Sequence, residues 1–199
     1  MKIGVFPGSF NPPHNDHLKI AKELYTMKMV DKVIYVPTSN KYNKQDLIES
    51  YKRFDMLEIL ANKNPFIEVS DIEIKKETQN YTYETLDEIK RVYPQADIYL
   101  IVGMDNFNAI SSWKNYDYII NNYKIICIDR GNQMNDITSK VDSNIKVTFV
   151  KCDLKGLSST EIRNKILLGE DVTDYLDYDI IKYIMKEQLY EGVKYAKNK

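Results

Sequence analysis

Short apolar runs alternate with longer segments of helical periodicity along most of the chain. Continuous apolar or β-branched runs predict six strands, at residues 2–6, 32–36, 66–69, 98–102, 123–128 and 146–150. Apolar residues spaced three or four apart predict helices at residues 16–29, 50–62, 82–93, 159–168 and 178–189. In the third of these helices, the residues expected to face inward are Thr85, Leu86, Ile89 and Val92. The alternation of strands and helices predicts an α/β fold with a mainly parallel sheet.

The same pattern predicts the domain organisation. Strands that are apolar throughout are typical of a parallel sheet with helices on both faces. Polar residues at 38–45 and 131–144 predict surface loops. We expect a single domain over residues 1–190, with a small helical part from about residue 151, and a frayed tail at 191–199. Open parallel sheets bind ligands beyond the carboxyl ends of their strands, so functional residues should follow strands directly.

Composition narrows the class of protein. The 199 residues carry 28 Lys and Arg against 29 Asp and Glu, a net charge of -1, which argues against a dedicated nucleic-acid binder. No apolar run approaches the ~20 residues of a membrane span, and the amino terminus lacks a signal-peptide pattern, so a cytoplasmic protein is expected. Cys127 and Cys152 stand apart in apolar stretches and are interpreted as buried thiols, with a disulfide or metal pair as the alternative.

The first candidate motif follows the first strand and leads into a helix, at residues 6–17. Gly8 lets the backbone approach a ligand closely, and the free N–H groups at a helix N-terminus favour phosphate. The only two histidines of the chain, His14 and His17, both lie here, where they can stabilise charge on a reacting phosphoryl group. The alternatives are a plain strand-to-helix connection and a zinc site, although no further ligands have suitable spacing.

The second candidate motif begins a late helix, at residues 156–163. Ser158 and Glu161 form the S-x-x-E pattern of a capping box, which by itself indicates only that a helix starts there. Arg163 lies in the first turn, where the helix dipole favours acids, and an anion bound at the same helix end would explain it. If Arg163 is exposed and unpaired without ligand, its removal should barely change stability.

Together these segments resemble a known family. Residues 8–17 resemble the (G/S)xFxPxHxGH signature of the nucleotidylyltransferase superfamily, and residues 158–163 are similar to its SSTxIR motif. From Met1 to about Tyr190, the best match is the family of bacterial nicotinate-nucleotide adenylyltransferases. The middle segments that select this branch are residues 36–37, 53–57, 80–86 (similar to SYTxDTL), 101–105 (similar to IxGxD) and Trp113.

The resemblance implies a Rossmann-like nucleotidylyltransferase fold and transfer of AMP from ATP to nicotinate mononucleotide, with Mg²⁺ accompanying ATP. It implies that His14, His17 and Arg163 are catalytic. The ATP-binding residues that it implies are Gly8, Ser9, Phe10, Gly103, Asp105, Ser158, Ser159 and Thr160. The acceptor-binding residues that it implies are Lys44, Thr85 and Trp113, with backbone N–H groups beside the last two reading the acceptor carboxylate. The expected partners are ATP and nicotinate mononucleotide, and no nucleic acid, membrane or dedicated metal cage is expected. A homo-oligomer is possible.

Three departures from the family pattern bear on function. Asp16 stands between the histidines where the family usually has Gly. Lys114 follows the tryptophan where the family often has an aromatic residue or His, and residues 40–44 replace a PPHK-like stretch. Asp16 puts a negative charge close to phosphates, unless it orients a histidine or caps the helix. Two rivals therefore stay open, another adenylyltransferase such as pantetheine-phosphate adenylyltransferase and a non-catalytic nucleotide-binding protein.

Overall fold

The computed structural model describes residues 1–41, 46–129 and 145–190. Its strands are β1 (Lys2–Gly8), β2 (Lys32–Pro37), β3 (Ile67–Val69), β4 (Asp97–Gly103), β5 (Lys124–Asp129) and β6 (Val147–Lys151). Its helices are α1 (Asn15–Thr26), α2 (Ser50–Lys63), α3 (Thr82–Val92), α4 (Met104–Asn108), α5 (Tyr116–Asn122), α6 (Ser159–Leu167) and α7 (Tyr178–Lys186), with a short 3-10 helix at Ile110–Ser112.

The strands form one parallel sheet in the order β3-β2-β1-β4-β5-β6. The predicted parallel α/β fold is confirmed, and each predicted strand lies within two residues of the observed one at both ends. The chain starts in the middle of the sheet, moves outward through β2 and β3, and returns to the other side of β1 with β4. This reversal creates a crevice at the carboxyl ends of β1 and β4, which is where such sheets bind ligands.

Alternate residues of the inner strands enter two separate cores, one on each face of the sheet. In β2, Ile34 and Val36 belong to one buried cluster, whereas Val33 and Tyr35 belong to the other. Burial of both faces explains why the strands are apolar without alternation. Cys127 and Cys152 are free and buried, as predicted.

The late helices pack against α2. A third buried cluster joins Met56 and Leu60 of α2 to Ile162 of α6 and to Ile180 and Ile184 of α7. Burial of Ile162 against α2 fixes the direction of α6, whose first turn is thereby held near the carboxyl end of β1.

Several predicted details of the helices are wrong. Helix α1 ends at Thr26, three residues early, because Lys28 takes a left-handed conformation with φ of 56°. Val92 is 64% exposed, because it is the last residue of α3. Helices α4 and α5 were not predicted, since five and seven residues carry too few apolar repeats to show a period.

No helix within the described ranges is long and apolar enough to cross a membrane. The cytoplasmic location stays a prediction. The tail at 191–199 lies outside the described residues.

Candidate active site

A cavity of about 430 Å³ lies at the carboxyl ends of β1 and β4, a size typical of small-molecule sites. Its walls are formed by the loop after β1, the first turns of α1 and α6, and the segment that links β4 to α5. The predicted site residues that line it are Gly8, Ser9, Phe10, His14, His17, Gly103, Asp105, Trp113, Ser158, Ser159, Thr160 and Arg163. The structure therefore brings both end motifs and part of the acceptor segment to one place.

The loop after β1 is shaped by close packing beneath the cavity. A Cβ atom at Gly8 would lie 3.1 Å from the ring of Phe10, so a side chain here would have to displace that ring slightly. Phe10 has φ of 47° and is buried, with its ring centroid 4.9 Å from that of His17 and 5.3 Å from that of Tyr35. The side chain of Phe10 supports the histidine from below, and its backbone forms the turn.

The two histidines form a pair at the start of α1. His14 is the N-cap residue and is 5% exposed, and the two ring centroids are 3.8 Å apart. The backbone N–H of His14 donates to Nδ1 of His17 at 3.1 Å. Because Nδ1 accepts this bond, the neutral ring of His17 carries its proton on Nε2. The Tyr35 hydroxyl also donates to the carbonyl of His17 at 2.9 Å, so the ring is held in a fixed place with Nε2 as a donor.

The first turn of α6 carries the predicted capping box. The Ser158 hydroxyl accepts from the backbone N–H of Glu161, and the Ser158 N–H donates to the Glu161 carboxylate at 2.8 Å. Hydrogen bonds from the Ser158 hydroxyl and N–H lower the pKa of Glu161. The carboxylate therefore stays charged at the helix end, where the dipole favours it.

Two side chains of α6 contact the first motif directly. Ser159 donates its hydroxyl to the carbonyl of Pro12 at 2.9 Å, and Arg163 donates to the carbonyl of Asn11 at 2.8 Å. Arg163 is 7% exposed and also lies 3.4 Å from the Thr160 hydroxyl. The exposed and unpaired arginine considered from sequence is thus a buried one, and its removal should affect stability as well as ligand binding.

Gly103 and Asp105 mark the end of β4. Gly103 is the N-cap residue of α4, and Asp105 lies exposed in its first turn on the cavity wall. Both lie across the crevice from the loop after β1, because β4 pairs with β1 in the sheet.

Aromatic and cationic side chains lie at and near the cavity wall beside the N-terminus of α3. Trp113 is partly buried against the core and lines the cavity. The ammonium of Lys114 lies 4.2 Å from the ring centroid of Tyr81, within cation–π range. Tyr81 is the N-cap residue of α3, and Thr82 of the same helix start lines the cavity. Positive charge and a helix N-terminus therefore lie together on this side.

Thr85 is placed differently from the prediction. It is fully buried and does not line the cavity. Its hydroxyl donates to Oε1 of Glu73 at 2.6 Å and accepts from the side-chain amide of Asn80. Glu73 and Asn80 do line the cavity, so the hydroxyl of Thr85 acts through these two residues. Of the three residues predicted to bind the acceptor, Trp113 lines the cavity, Thr85 does not, and Lys44 lies outside the described residues.

Glu73 is a nearly buried carboxyl on the cavity wall that sequence reasoning missed. Burial raises the pKa of Glu73, while hydrogen bonds from Thr85 and Asn80 and the charge of Lys76 oppose that shift. The signal in the sequence was weak, because a lone glutamate between two isoleucines resembles the polar position of an edge strand.

The structural role of Arg53 beneath the cavity was not predicted from the sequence, although residues 53–57 belong to the family resemblance. Arg53 is fully buried on α2, and burial lowers its pKa to about 10. Its guanidinium donates to the carbonyls of Ser9 at 2.7 Å and Thr38 at 2.6 Å. It therefore ties the loop after β1 to the end of β2. Its helical spacing from Met56 and Leu57, on the apolar face of α2, was the available signal.

Comparison with known proteins identifies the family. Residues 5–165 match the model of the cytidylyltransferase-like family. The chain is 34% identical over 197 residues to the probable nicotinate-nucleotide adenylyltransferase of Clostridium tetani, an alignment that covers 95% of this chain and 98% of the relative. The protein of the same name from Fusobacterium nucleatum is 32% identical over 192 residues and is covered completely, against 95% of this chain. The chain belongs to the nicotinate-nucleotide adenylyltransferase family.

The family predicted from the two end motifs and the middle segments is thus confirmed. A solved structure shows that the fold is shared as well. The Plasmodium falciparum nicotinic acid mononucleotide adenylyltransferase complexed with NaAD superposes with a TM-score of 0.78 at 23% identity, over 95% of this chain and 97% of that one.

Proposed function

We propose that this enzyme transfers AMP from ATP to nicotinate mononucleotide and releases pyrophosphate, giving nicotinate adenine dinucleotide for NAD biosynthesis. The observation that carries the proposal is the meeting of the first turns of α1 and α6 in one cavity, whose wall also includes Trp113 and the start of α3. Relatives that match nearly the whole chain carry the name of this activity. The Plasmodium protein of this fold was solved with NaAD, the product expected here.

The chemistry is a direct displacement. An oxygen of the acceptor 5′-phosphate attacks the α-phosphorus of ATP in line, the bond from that phosphorus to the bridging oxygen breaks, and pyrophosphate leaves with the electron pair. The acceptor supplies the nucleophile, so the protein has only to position two phosphates and stabilise charge.

Donors for that charge lie on both sides of the cavity. His17, with Nε2 as its donor nitrogen, and His14 are proposed to stabilise the transition state at the α-phosphate. Arg163, Ser158, Ser159 and Thr160, with the N-terminus of α6, are proposed to hold the pyrophosphate part of ATP. The backbone of residues 8–10 is proposed to cover the phosphates, and Gly103 with Asp105 is proposed to contact the ribose.

The acceptor is proposed to lie against Trp113, whose indole face can stack on the cationic pyridinium ring. Its carboxylate is then close to the N-terminus of α3 and to the ammonium of Lys114, both of which favour an anion. Glu73 and Asn80 form the wall next to this position, with Thr85 fixing both of them.

Mg²⁺ belongs to the proposal as part of the substrate MgATP, because phosphate oxygens and water are the ligands that it prefers. In the described part of the chain, no three His, Cys, Asp or Glu side chains are grouped so as to hold a metal ion.

Asp16 gave the reason to consider a nucleotide-binding protein without turnover. Its carboxylate accepts the backbone N–H groups of Lys155 and Gly156 and does not line the cavity. Both of its oxygens are therefore occupied by backbone donors outside the cavity lining, and its presence does not argue against an active enzyme.

The test is to incubate the protein with MgATP and nicotinate mononucleotide and to measure pyrophosphate and the dinucleotide product together. We expect both in equal amounts. The double variant His14→Ala, His17→Ala is the control and should yield neither. Pyrophosphate without dinucleotide would mean hydrolysis of ATP, and the absence of both with wild-type protein would contradict the proposal.

A further inference from the structure

A buried carboxylate ties the loop before α6 to α1, one helical turn before Lys19, whose exposed ammonium donates to the carbonyl of Asp153 in the same loop. Asp16 is 6% exposed and lies in the first turn of α1, between the two histidines. Its Oδ1 accepts the N–H of Lys155 at 3.0 Å and its Oδ2 accepts the N–H of Gly156 at 2.9 Å. Both carboxylate oxygens are therefore used by a segment that is 139 and 140 residues away in the chain.

The segment that donates to Asp16 has a backbone conformation that suits this contact. Gly156 has φ of 79° and no atom within 4 Å of the position of a Cβ, a backbone conformation that favours glycine. Two residues later Ser158 caps α6. The bonds to Asp16 thus hold the backbone that leads directly into the proposed pyrophosphate-binding helix end.

The other links between the two motifs come from α6 itself, through Ser159 to Pro12 and Arg163 to Asn11. These two side chains are also proposed to bind ATP, so ATP competes for their donors. Asp16 does not line the cavity and keeps its bonds when ATP enters. A glycine, which the family pattern usually has here, offers no acceptor.

We propose that Asp16 is a positioning residue that fixes the N-terminus of α6 relative to His14 and His17, so that the polyphosphate of ATP meets both groups without a prior rearrangement. The inference rests on the proposed function only in naming ATP as the ligand. Holding a site in its bound geometry strengthens binding because less ordering remains to be done when the ligand arrives. Removal of Asp16 should therefore weaken ATP binding, although Asp16 itself does not contact ATP.

The chain offers a matched control in the preceding residue. Asn15 lies in the same turn of α1, and its side-chain amide donates to the carbonyl of Asp174 at 3.1 Å. It joins α1 to the segment before α7 and not to the loop before α6. Asn15→Ala removes one hydrogen bond between α1 and a neighbouring segment and leaves the bonds of Asp16 in place.

The experiment is titration of the protein with the magnesium complex of α,β-methylene-ATP, which binds without reaction, and separately with nicotinate mononucleotide. For Asp16→Ala we expect the Kd for the ATP analogue to rise about tenfold, with the Kd for the mononucleotide unchanged. For Asp16→Asn, which keeps one acceptor oxygen but turns an amide N–H group towards a backbone N–H, we expect a rise of similar size. For Asn15→Ala we expect no change in either Kd.

Thermal unfolding of each variant separates positioning from general stability. An Asp16→Ala protein that binds the analogue as tightly as wild type would overturn the proposal, and so would equal weakening in Asn15→Ala. If Asp16→Ala does not fold, the comparison of Asp16→Asn with Asn15→Ala decides in the same way. Failure of the wild-type enzyme to form the dinucleotide would count against the proposed function, and the binding experiment would still report on Asp16.

Discussion

The substitution His17→Asn separates the structural role of His17, which is a hydrogen bond at the start of α1, from its proposed role in catalysis. In the structure Nδ1 accepts the N–H of His14 at the start of α1, while the ring packs 4.9 Å from that of Phe10. Asparagine can place its carbonyl oxygen near the position of Nδ1 and so retain the bond at the helix start. It has no group in the position of Nε2, the donor proposed for the transition state.

The expected losses of kcat and of stability follow from these two roles. Loss of one transition-state donor costs about 2.7–4 kcal/mol, so kcat should fall by about 10²–10³ in His17→Asn. The KM for ATP should change little, because the lost interaction belongs to the transition state. His17→Ala should show the same loss of rate and, because the acceptor at the helix start is also removed, about 0.5–2 kcal/mol less stability.

The assay is the initial rate of pyrophosphate release at saturating MgATP and acceptor, with thermal unfolding of both variants measured alongside. A His17→Asn enzyme with kcat within about threefold of wild type would refute the role of Nε2, since that amounts to well under 1 kcal/mol. His14→Ala gives the parallel test for the partner ring and should lose kcat to a similar extent.

The other predictions rest on separate parts of the structure. Arg163→Ala should raise the KM for ATP, lower kcat and cost about 1–3 kcal/mol of stability because the carbonyl of Asn11 loses its donor; normal ATP kinetics in a destabilised protein would show a purely structural arginine. Burial raises the pKa of Glu73, so its ionised form opposes folding above that pKa, and wild type should gain stability relative to Glu73→Gln as the pH falls from neutral towards 4.5. A stability difference that is independent of pH would contradict this. Burial raises the pKa of Cys127 and of Cys152 to about 12, so iodoacetamide should label the native protein far more slowly than the urea-unfolded protein, and equal rates would contradict the buried placement.

The parallel sheet was predictable because its strands are buried on both faces. Runs such as residues 98–102 are apolar without a break, and this pattern does not depend on distant parts of the chain. The position of the site followed from the same reasoning, since parallel strands place their carboxyl ends together. The short helices α4 and α5 could not be predicted, because one or two turns show no measurable hydrophobic period.

Contacts between distant segments could not be read from the sequence. Asp16 looked like a charge beside phosphates, and only the fold shows that its carboxylate meets Lys155 and Gly156. Thr85 looked like a ligand-facing hydroxyl, and only packing shows that its hydroxyl donates a hydrogen bond to Glu73. In each case the residue type indicated a hydrogen-bonding role, while the partner of that hydrogen bond could be identified only from the tertiary structure.

The central claim is best tested by acceptor discrimination, measured as kcat/KM for nicotinate mononucleotide, its amide analogue and phosphopantetheine at one concentration of MgATP. The N-terminus of α3 and the ammonium of Lys114 favour the carboxylate, whereas a carboxamide brings N–H donors that meet other donors. An unpaired buried donor costs about 1–3 kcal/mol, so we predict that the acid is used about tenfold or more better than the amide, with phosphopantetheine weakest. Equal or better use of the amide, or a preference for phosphopantetheine, would contradict the account.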